Sequence, residues 1–425
     1  MKQEIIDNIE NPVILEKLYR DNQTEFTLNF NELYSEIKTF PIAQFWNVRL
    51  LEEKNHVAYA DNFEETGDNS LSKQFKLYFT VIAAFVCGTI IKFPDMIGYN
   101  FQNFITDNGP FILFPALALF YLLKYKADSK KYVFIYSIVL VSAIFMNILP
   151  WLENSDTRIL SAIHFSVITW ILLGAAYINF DFTSRKNRMM FLKRNGDMFI
   201  LTGVILCAGM LLIMLTVGMF KVIEVRIDWF LEKYVVVYGL VSAPLLANYM
   251  IESSPKIINK VAPFISKLFT PLMLILMTCF LSIMVFFGKN PFNNREELIV
   301  FNVLLTVIMA VIVFSFSGNS ADHKSVYNKI LLVLSLEAII INIIALSAII
   351  YRLFSFGISP NRIAVIGANV LLFSNLILLT LKLIQFIRNK TSPQNVEKSM
   401  AQMLPVYAVW AIVVSVFLPF FFSFK

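Results

Sequence analysis

An all-α polytopic membrane fold, preceded by a small soluble helical domain, is what this sequence predicts. Three observations carry the prediction. The 425 residues are 57% hydrophobic and only 16% charged, whereas about a quarter of the residues in soluble domains are charged. The mean hydropathy is +0.65. From Lys73 onward, apolar runs of about 20 residues recur, each matching a ~30 Å hydrocarbon core at 1.5 Å per helical residue. These runs do not alternate polar with apolar, so helices are expected and a barrel is not.

Residues 1–72 differ in kind. They carry six Lys or Arg against fourteen Asp or Glu, a net −8, which leaves +14 on the rest of the chain. Residues 1–54 read as an acidic helical bundle with three amphipathic helices. Asn11-Pro12 is a cap followed by proline in the first turn, and Leu15, Leu18 and Tyr19 form the apolar side behind it. After Asn22, the residues Phe26, Phe30, Leu33, Tyr34 and Ile37 recur at three- and four-residue spacings. The third helix starts near Pro41 and offers Ile42, Phe45, Trp46 and Leu50. Residues 55–72 read as an acidic linker. The first segment, MKQEIIDNIENPVILEKLYRD, has neither an apolar core nor a small-residue cleavage site, so a signal peptide is not expected.

Residues 73–425 form the predicted transmembrane domain, with eleven spans. They are Phe75–Ile91, Phe111–Leu123, Tyr132–Trp151, Ile159–Phe180, Met198–Phe220, Trp229–Ile251, Phe264–Phe287, Leu298–Phe316, Ile330–Tyr351, Ile363–Phe386 and Leu404–Phe424. The second is the shortest and reads as a tilted or partial crossing. Pro115, Pro244 and Pro419 fall inside spans, where proline kinks a helix. Alternate connections carry seventeen Lys or Arg and the other set nine. Positive charge marks the cytoplasmic side, which puts the N-terminal domain in the cytoplasm and the C-terminus outside.

The chemistry of most enzyme classes has no foothold here. There is no phosphate-binding glycine loop and no dinucleotide fingerprint. His56, His164 and His323 lie in unrelated segments, and Cys87, Cys207 and Cys279 fall inside apolar runs without ligand spacing. No metal site, cofactor or catalytic residue is therefore expected. The basic loops are explained by topology, so nucleic acid is not an expected partner. The expected partners are the lipid bilayer and a membrane or cytoplasmic protein that the N-terminal domain reads.

Polar residues inside spans are the functional candidates, because charge at such depth is costly. Glu337 lies about 10 Å inside its span from the cytoplasmic end, at 1.5 Å per residue. It shares an arc of about 160° with Ser335, Ala338, Asn342, Ala345 and Arg352 on a 100° wheel, a protein-facing stripe. On the next span Asn375 and Lys382 share a face, and Lys382 is placed to pair with Glu337. Glu337, Asn342, Asn375 and Lys382 form the candidate intramembrane site. A second candidate cluster gathers at the outer ends of spans: Asn147, His164, Asp228, Glu232, Arg352 and Arg362, with Glu224, Arg226 and Lys233 nearby.

Between the two spans lies YRLFSFGISPNR, in which Arg352, Phe356, Gly357, Ile358, Ser359 and Arg362 are spaced as an arginine, an aromatic, Gly, an aliphatic, a hydroxyl residue and a second arginine. This pattern resembles a family of bacterial integral membrane proteins catalogued as domain of unknown function 4153. The likeness covers about residues 330–385, and Glu337 fits it as well; Phe356 stands where the pattern has tyrosine. The resemblance implies a bacterial inner membrane and carries no reaction.

The reading that follows is a transporter-like or channel-like protein handling a small solute or ion around Glu337. One alternative is a membrane anchor or regulatory protein whose acidic bundle binds a partner. Another is an intramembrane enzyme acting on a lipid-linked substrate at the outer cluster. Opposite charge on the bundle and on the basic membrane face further predicts that the bundle docks there. After proteolysis at residues 55–70, the bundle is expected to stay with membranes at low salt and leave at high salt. Equal release at both would exclude docking.

Overall fold

The computed structural model describes residues 2–50, 71–150, 155–222, 227–253, 255–286, 292, 295–317 and 325–424. The chain divides into two compact units, residues 1–70 and 71–425. The 55–72 linker lies almost wholly outside the described residues, as do His56, His323, Glu224 and Arg226.

In the first unit, helices α1 (Lys2–Asp7), α2 (Pro12–Asp21), α3 (Gln23–Ile37) and α4 (residues 41–50) surround one core. Asn11 caps α2, its Oδ1 accepting from the amides of Val13 and Ile14, and Asn22 caps α3 through the amide of Glu25. Phe26, Phe30 and Trp46 are fully buried, with Tyr19 edge-on to Phe26 at 5.6 Å. Arg49 pairs with Glu16 and lies 4.5 Å from the Trp46 ring, closing α2 onto α4. Two details depart from the sequence reading. α1 is an additional helix that contributes Ile5 to the core, and Phe45 faces outward because α4 buries Ala43, Trp46 and Leu50 instead.

The second unit is all helical among the described residues. Its elements are α5 (Lys73–Met96), α6 (Phe101–Asn108), α7 (Leu113–Lys124), α8 (Ser129–Ile148), α9 (Asp156–Tyr177), α10 (Arg185–Val222), α11 (Asp228–Phe230), α12 (Val237–Ser253), α13 (Pro255–Phe286), α14 (Arg295–Ser317), α15 (Val326–Phe356), α16 (Pro360–Ile387), α17 (Pro393–Met400), α18 (Leu404–Ile412) and α19 (Leu418–Phe421). π-helical turns join α11 to α12 and α18 to α19. Nine helical segments among the described residues are long and apolar enough to cross a membrane. Two shorter apolar stretches, Leu268–Ser282 and Phe301–Phe316, lie within α13 and α14. The fold is that of a polytopic membrane protein.

Two limits move relative to the sequence reading. The second span starts earlier and is broken: α6 and α7 are joined by a 3₁₀ turn at Gly109–Phe111, where Gly109-Pro110 interrupts the α-helical ladder. α10 starts at Arg185, so Lys193 and Arg194 belong to a helix and not to a loop.

The two largest apolar cores of this unit meet at α10. Phe191 packs with Leu117, Phe120, Leu172 and Leu245 of α7, α9 and α12. Met189, two residues earlier, packs with Phe301, Ile308, Leu334 and Leu379 of α14, α15 and α16. Further along, α10 leaves both cores and exposes Met210, Leu211, Leu212, Met214 and Leu215. An apolar helix face that no described residue covers is solvated by hydrocarbon, and this stretch is the plainest mark of a bilayer among the described residues.

α16 rests against α18 through Gly367. A Cβ there would lie 1.9 Å from Trp410, whereas a Cβ at Gly203 of α10 would meet nothing within 4 Å. Gly367→Ala is expected to destabilise by about 1–3 kcal/mol through overpacking, read as a lowered thermal midpoint in detergent. Gly203→Ala is expected not to lower it.

Candidate functional site

α15 carries a continuous buried stripe. Leu331, Leu334, Ser335, Ala338, Ile341, Asn342 and Ala345 are all fully buried, while Leu336, Ile340 and Ile343 face outward. Small residues along the stripe let neighbouring helices approach closely. The stripe therefore places Asn342 inside the bundle, near the middle of the 31-residue α15. Antiparallel to it, α16 carries Asn369, Asn375 and Thr380, also buried. At 1.5 Å per residue, Asn369, Asn342 and Asn375 lie roughly 18, 22 and 27 Å along their helices from Gly357. They occupy neighbouring depths in one helical hairpin.

These groups are incompletely satisfied. Asn369 donates to Oδ1 of Asn302 on α14 at 2.7 Å, and Asn375 donates to the Tyr407 hydroxyl on α18 at 3.1 Å. The Oδ1 atoms of both asparagines, both amide atoms of Asn342 and Oγ1 of Thr380 are buried with no hydrogen-bond partner among the described residues. A buried polar group without a partner costs about 1–3 kcal/mol, so a cluster of them at mid-membrane calls for an explanation.

Glu337 sits at the edge of the stripe and is half-buried. Its Oε1 accepts from Oγ1 of Thr278 on α13 at 2.8 Å, and its Oε2 is buried without a partner. The expected pair with Lys382 is not formed: Nζ of Lys382 donates to Oε1 of Gln385, one turn along its own helix, at 3.1 Å. Glu337 thus turns toward α13, not toward α16.

At the other end of the hairpin, Gly357 ends α15 with φ of +77°, a conformation that favours glycine. Ser359 caps α16, accepting from the amide of Arg362, with Pro360 in the first turn. Nη1 of Arg362 donates to the carbonyls of Phe356 and Gly357 at 2.9 and 2.5 Å. Arg352 and Arg362 both lie over the Phe356 ring, 5.5 and 5.7 Å from its centroid. Beside this turn is a cleft of about 210 Å³ lined by Asp156, Asn302, Arg352, Ser359, Asn361 and Arg362.

Only Arg352 and Arg362 of the expected outer cluster line this cleft. Asn147 makes an amide pair with Asn108, donating at 2.9 Å. His164 bonds its own helix, Nδ1 to the carbonyl of Leu160 at 2.8 Å. Glu232 is exposed on the π-helical turn before α12, and the side chain of Asp228 lies outside the described ones.

The most fully paired charges are ones that sequence reasoning used only as topology markers or left out. Arg158 of α9 grips Asp107 of α6 with two bonds, at 3.0 and 2.6 Å, and also donates to the carbonyl of Leu149. Both side chains are almost inaccessible. Glu252 of α12 accepts from Arg194 of α10 and from Lys124 of α7, each at 2.7 Å. Tyr121 and Asn248 complete that network at 2.7 Å. At its rim, burial raises the pKa of the Tyr125 hydroxyl well above the ordinary tyrosine range. No sequence spacing announces such pairs, because their members are 51 to 128 residues apart.

Fold and site together define a polytopic α-helical membrane protein with an unsatisfied polar seam at mid-depth. Comparison of the chain with family models, with curated proteins and with solved structures finds no match. Among the described residues no group of three or more His, Cys, Asp or Glu could hold a metal ion.

Arg158→Met is expected to cost about 3–5 kcal/mol, because it strands Asp107 in a buried site. Adding Asp107→Leu is expected to recover a large part of that loss. Thermal unfolding of the single and double variants in detergent checks both signs.

Proposed function

We propose that the seam between α14, α15 and α16 is a passage for a small polar solute or ion, making the protein transporter-like or channel-like. The observation that carries this reading is Asn342. Its amide is fully buried at the middle of α15 and finds no partner among the described residues. Intramembrane binding sites gather at such depths, where polar groups facing the bundle interior meet a solute that hydrocarbon does not solvate. Asn369 and Asn375 supply further acceptors at neighbouring depths. Glu337 stands nearer the other end of α15, the end that the loop charges assign to the cytoplasm. The same charge pattern makes the Gly357 turn the outer end, and the resemblance over residues 330–385 is what suggests a bacterial inner membrane.

A second reading, a partner-binding module on the N-terminal unit, draws on the exposed Phe45 and Val48, one turn apart on α4. In this reading the spans anchor a complex whose cytoplasmic member the bundle holds. The intramembrane-enzyme reading draws no support from His164, whose ring bonds its own helix.

The test is flux into proteoliposomes of the purified full chain, using a panel of labelled alkali ions, phosphate, organic acids, amino acids and sugars. Wild type is expected to pass at least one of them about ten-fold faster than empty liposomes, which corresponds to a barrier lower by ~1.4 kcal/mol. Asn342→Leu, close in volume and free of polar atoms, is expected to fold and to abolish that flux, and Glu337→Gln is expected to slow it. Flux no faster than empty liposomes, or an Asn342→Leu rate equal to wild type, would refute the proposal.

A further inference from the structure

The cleft at the α15–α16 turn has a charge geometry of its own. Two guanidinium groups, Arg352 and Arg362, converge on the one ring of Phe356. Like charges brought together raise the local potential, and among the described residues Asp156 is the carboxylate that lines the cleft. Two helices also begin there. Asp156 opens the 22-residue α9, and Ser359 caps the 28-residue α16. Each brings the positive end of its helix dipole to the lining. The Arg362 side chain is fixed in place by the carbonyls of Phe356 and Gly357, which use Nη1 and leave Nε and Nη2 as further donors.

The lining of the cleft also touches the asparagine seam. Asn302 lines the cleft and accepts from Asn369, whose own Oδ1 is buried without a partner among the described residues. One hydrogen bond therefore links the lining of the cleft to the buried asparagines of α16.

We infer that this cleft binds a small anion bearing a carboxylate or phosphate group, held by Arg352, Arg362 and the amide of Asn361. A cleft of about 210 Å³ suits inorganic phosphate or a short organic acid and is below the range typical of drug-sized ligands. This inference rests on the proposed passage for its meaning, since it names the class of solute that enters; the binding itself stands apart from it. The same chemistry fits the headgroup of an anionic phospholipid.

Isothermal titration separates the sources. The full chain is embedded in phosphatidylcholine nanodiscs and titrated with inorganic phosphate and with succinate. A parallel preparation contains phosphatidylglycerol. Saturable binding of either free anion in the first preparation is the expected result. If the anion binds there and phosphatidylglycerol competes it away, the headgroup is an occupant as well.

Asn361→Asp is the informative variant. Near the start of α16 an added carboxylate is favourable to the helix, so the fold is kept while the cleft loses positive potential. It is expected to weaken anion binding at least about ten-fold, the effect of one repulsive charge at close range. Arg352→Gln is expected to do the same. Failure of phosphate, succinate and phosphatidylglycerol all to bind overturns the inference, and so does unchanged affinity in Asn361→Asp. Flux lost in Asn342→Leu with no anion binding would sink only the anion site. Anion binding with flux indifferent to Asn342 would sink only the passage.

Discussion

Hydrocarbon solvates no polar group, and the second unit is arranged around that fact. A charged side chain inside it must meet its partner within the protein or reach the surface. Arg158 therefore closes on Asp107, and Arg194 and Lys124 close on Glu252. Each pairing fixes helices distant in sequence: α9 to α6 in the first case, α10 and α7 to α12 in the second. Coulomb attraction does not by itself make such pairs stabilising, because removing both charges from water is costly. Their effect is on geometry. Once the charges are buried, any other helix arrangement leaves them stranded, so alternatives rise in energy more than the native packing falls.

The broken second span follows from the same constraint. Gly109-Pro110 interrupts the α-helical ladder between α6 and α7, and Asp107 lies one turn before the break. The short α6 is thereby free to take its own direction, which carries the Asp107 carboxylate to Arg158. A π-helical turn does related work in the last span. Ser161 of α9 donates to the carbonyl of Ser415 within that turn, at 2.9 Å. Pro110 in the first place and Val414 and Ser415 in the second are buried, which turns part of the irregular backbone toward protein.

Helical class, the recurrence of membrane-spanning runs and the buried stripe of α15 were legible because each is a local pattern, whereas the count of eleven spans is not matched by the nine segments long enough to cross among the described residues. Run length reports the span, and three- and four-residue spacing reports the face. The N-terminal core was legible for the same reason, apart from α1, whose Ile5 joins it, and Phe45, where neighbours on α4 with a better-placed stripe took the interior. Pairings were not legible. Glu337 and Lys382 share a plausible depth in one hairpin, but depth leaves the azimuth open, and the rotation of α15 turns the carboxylate to Thr278 on α13. Arg158 and Arg194 looked like loop charges because a count by loop is blind to a partner 51 or 58 residues away. The cleft needed three segments at once, α9, α14 and the α15–α16 turn, and only Arg352, Ser359 and Arg362 among its lining residues stood out beforehand.

The two halves of the membrane unit satisfy their polar groups differently. Around α5–α9 and α12, buried charges are matched closely, and the network at Glu252 uses both carboxylate oxygens. Around α15, α16 and α18, the deeply buried polar atoms without partners are neutral amides, a hydroxyl, the Trp410 indole nitrogen and one Glu337 oxygen. A neutral orphan costs about 1–3 kcal/mol, whereas a stranded buried charge costs about 3–5 kcal/mol. Unpartnered polar atoms inside a bilayer are therefore cheapest on neutral side chains such as asparagine and threonine. The half that carries such groups is also the half whose helices converge on the cleft at Arg352 and Arg362. The matched half then serves as the frame, and α10, packed into both cores through Met189 and Phe191, is the wall that holds the unsatisfied half against it.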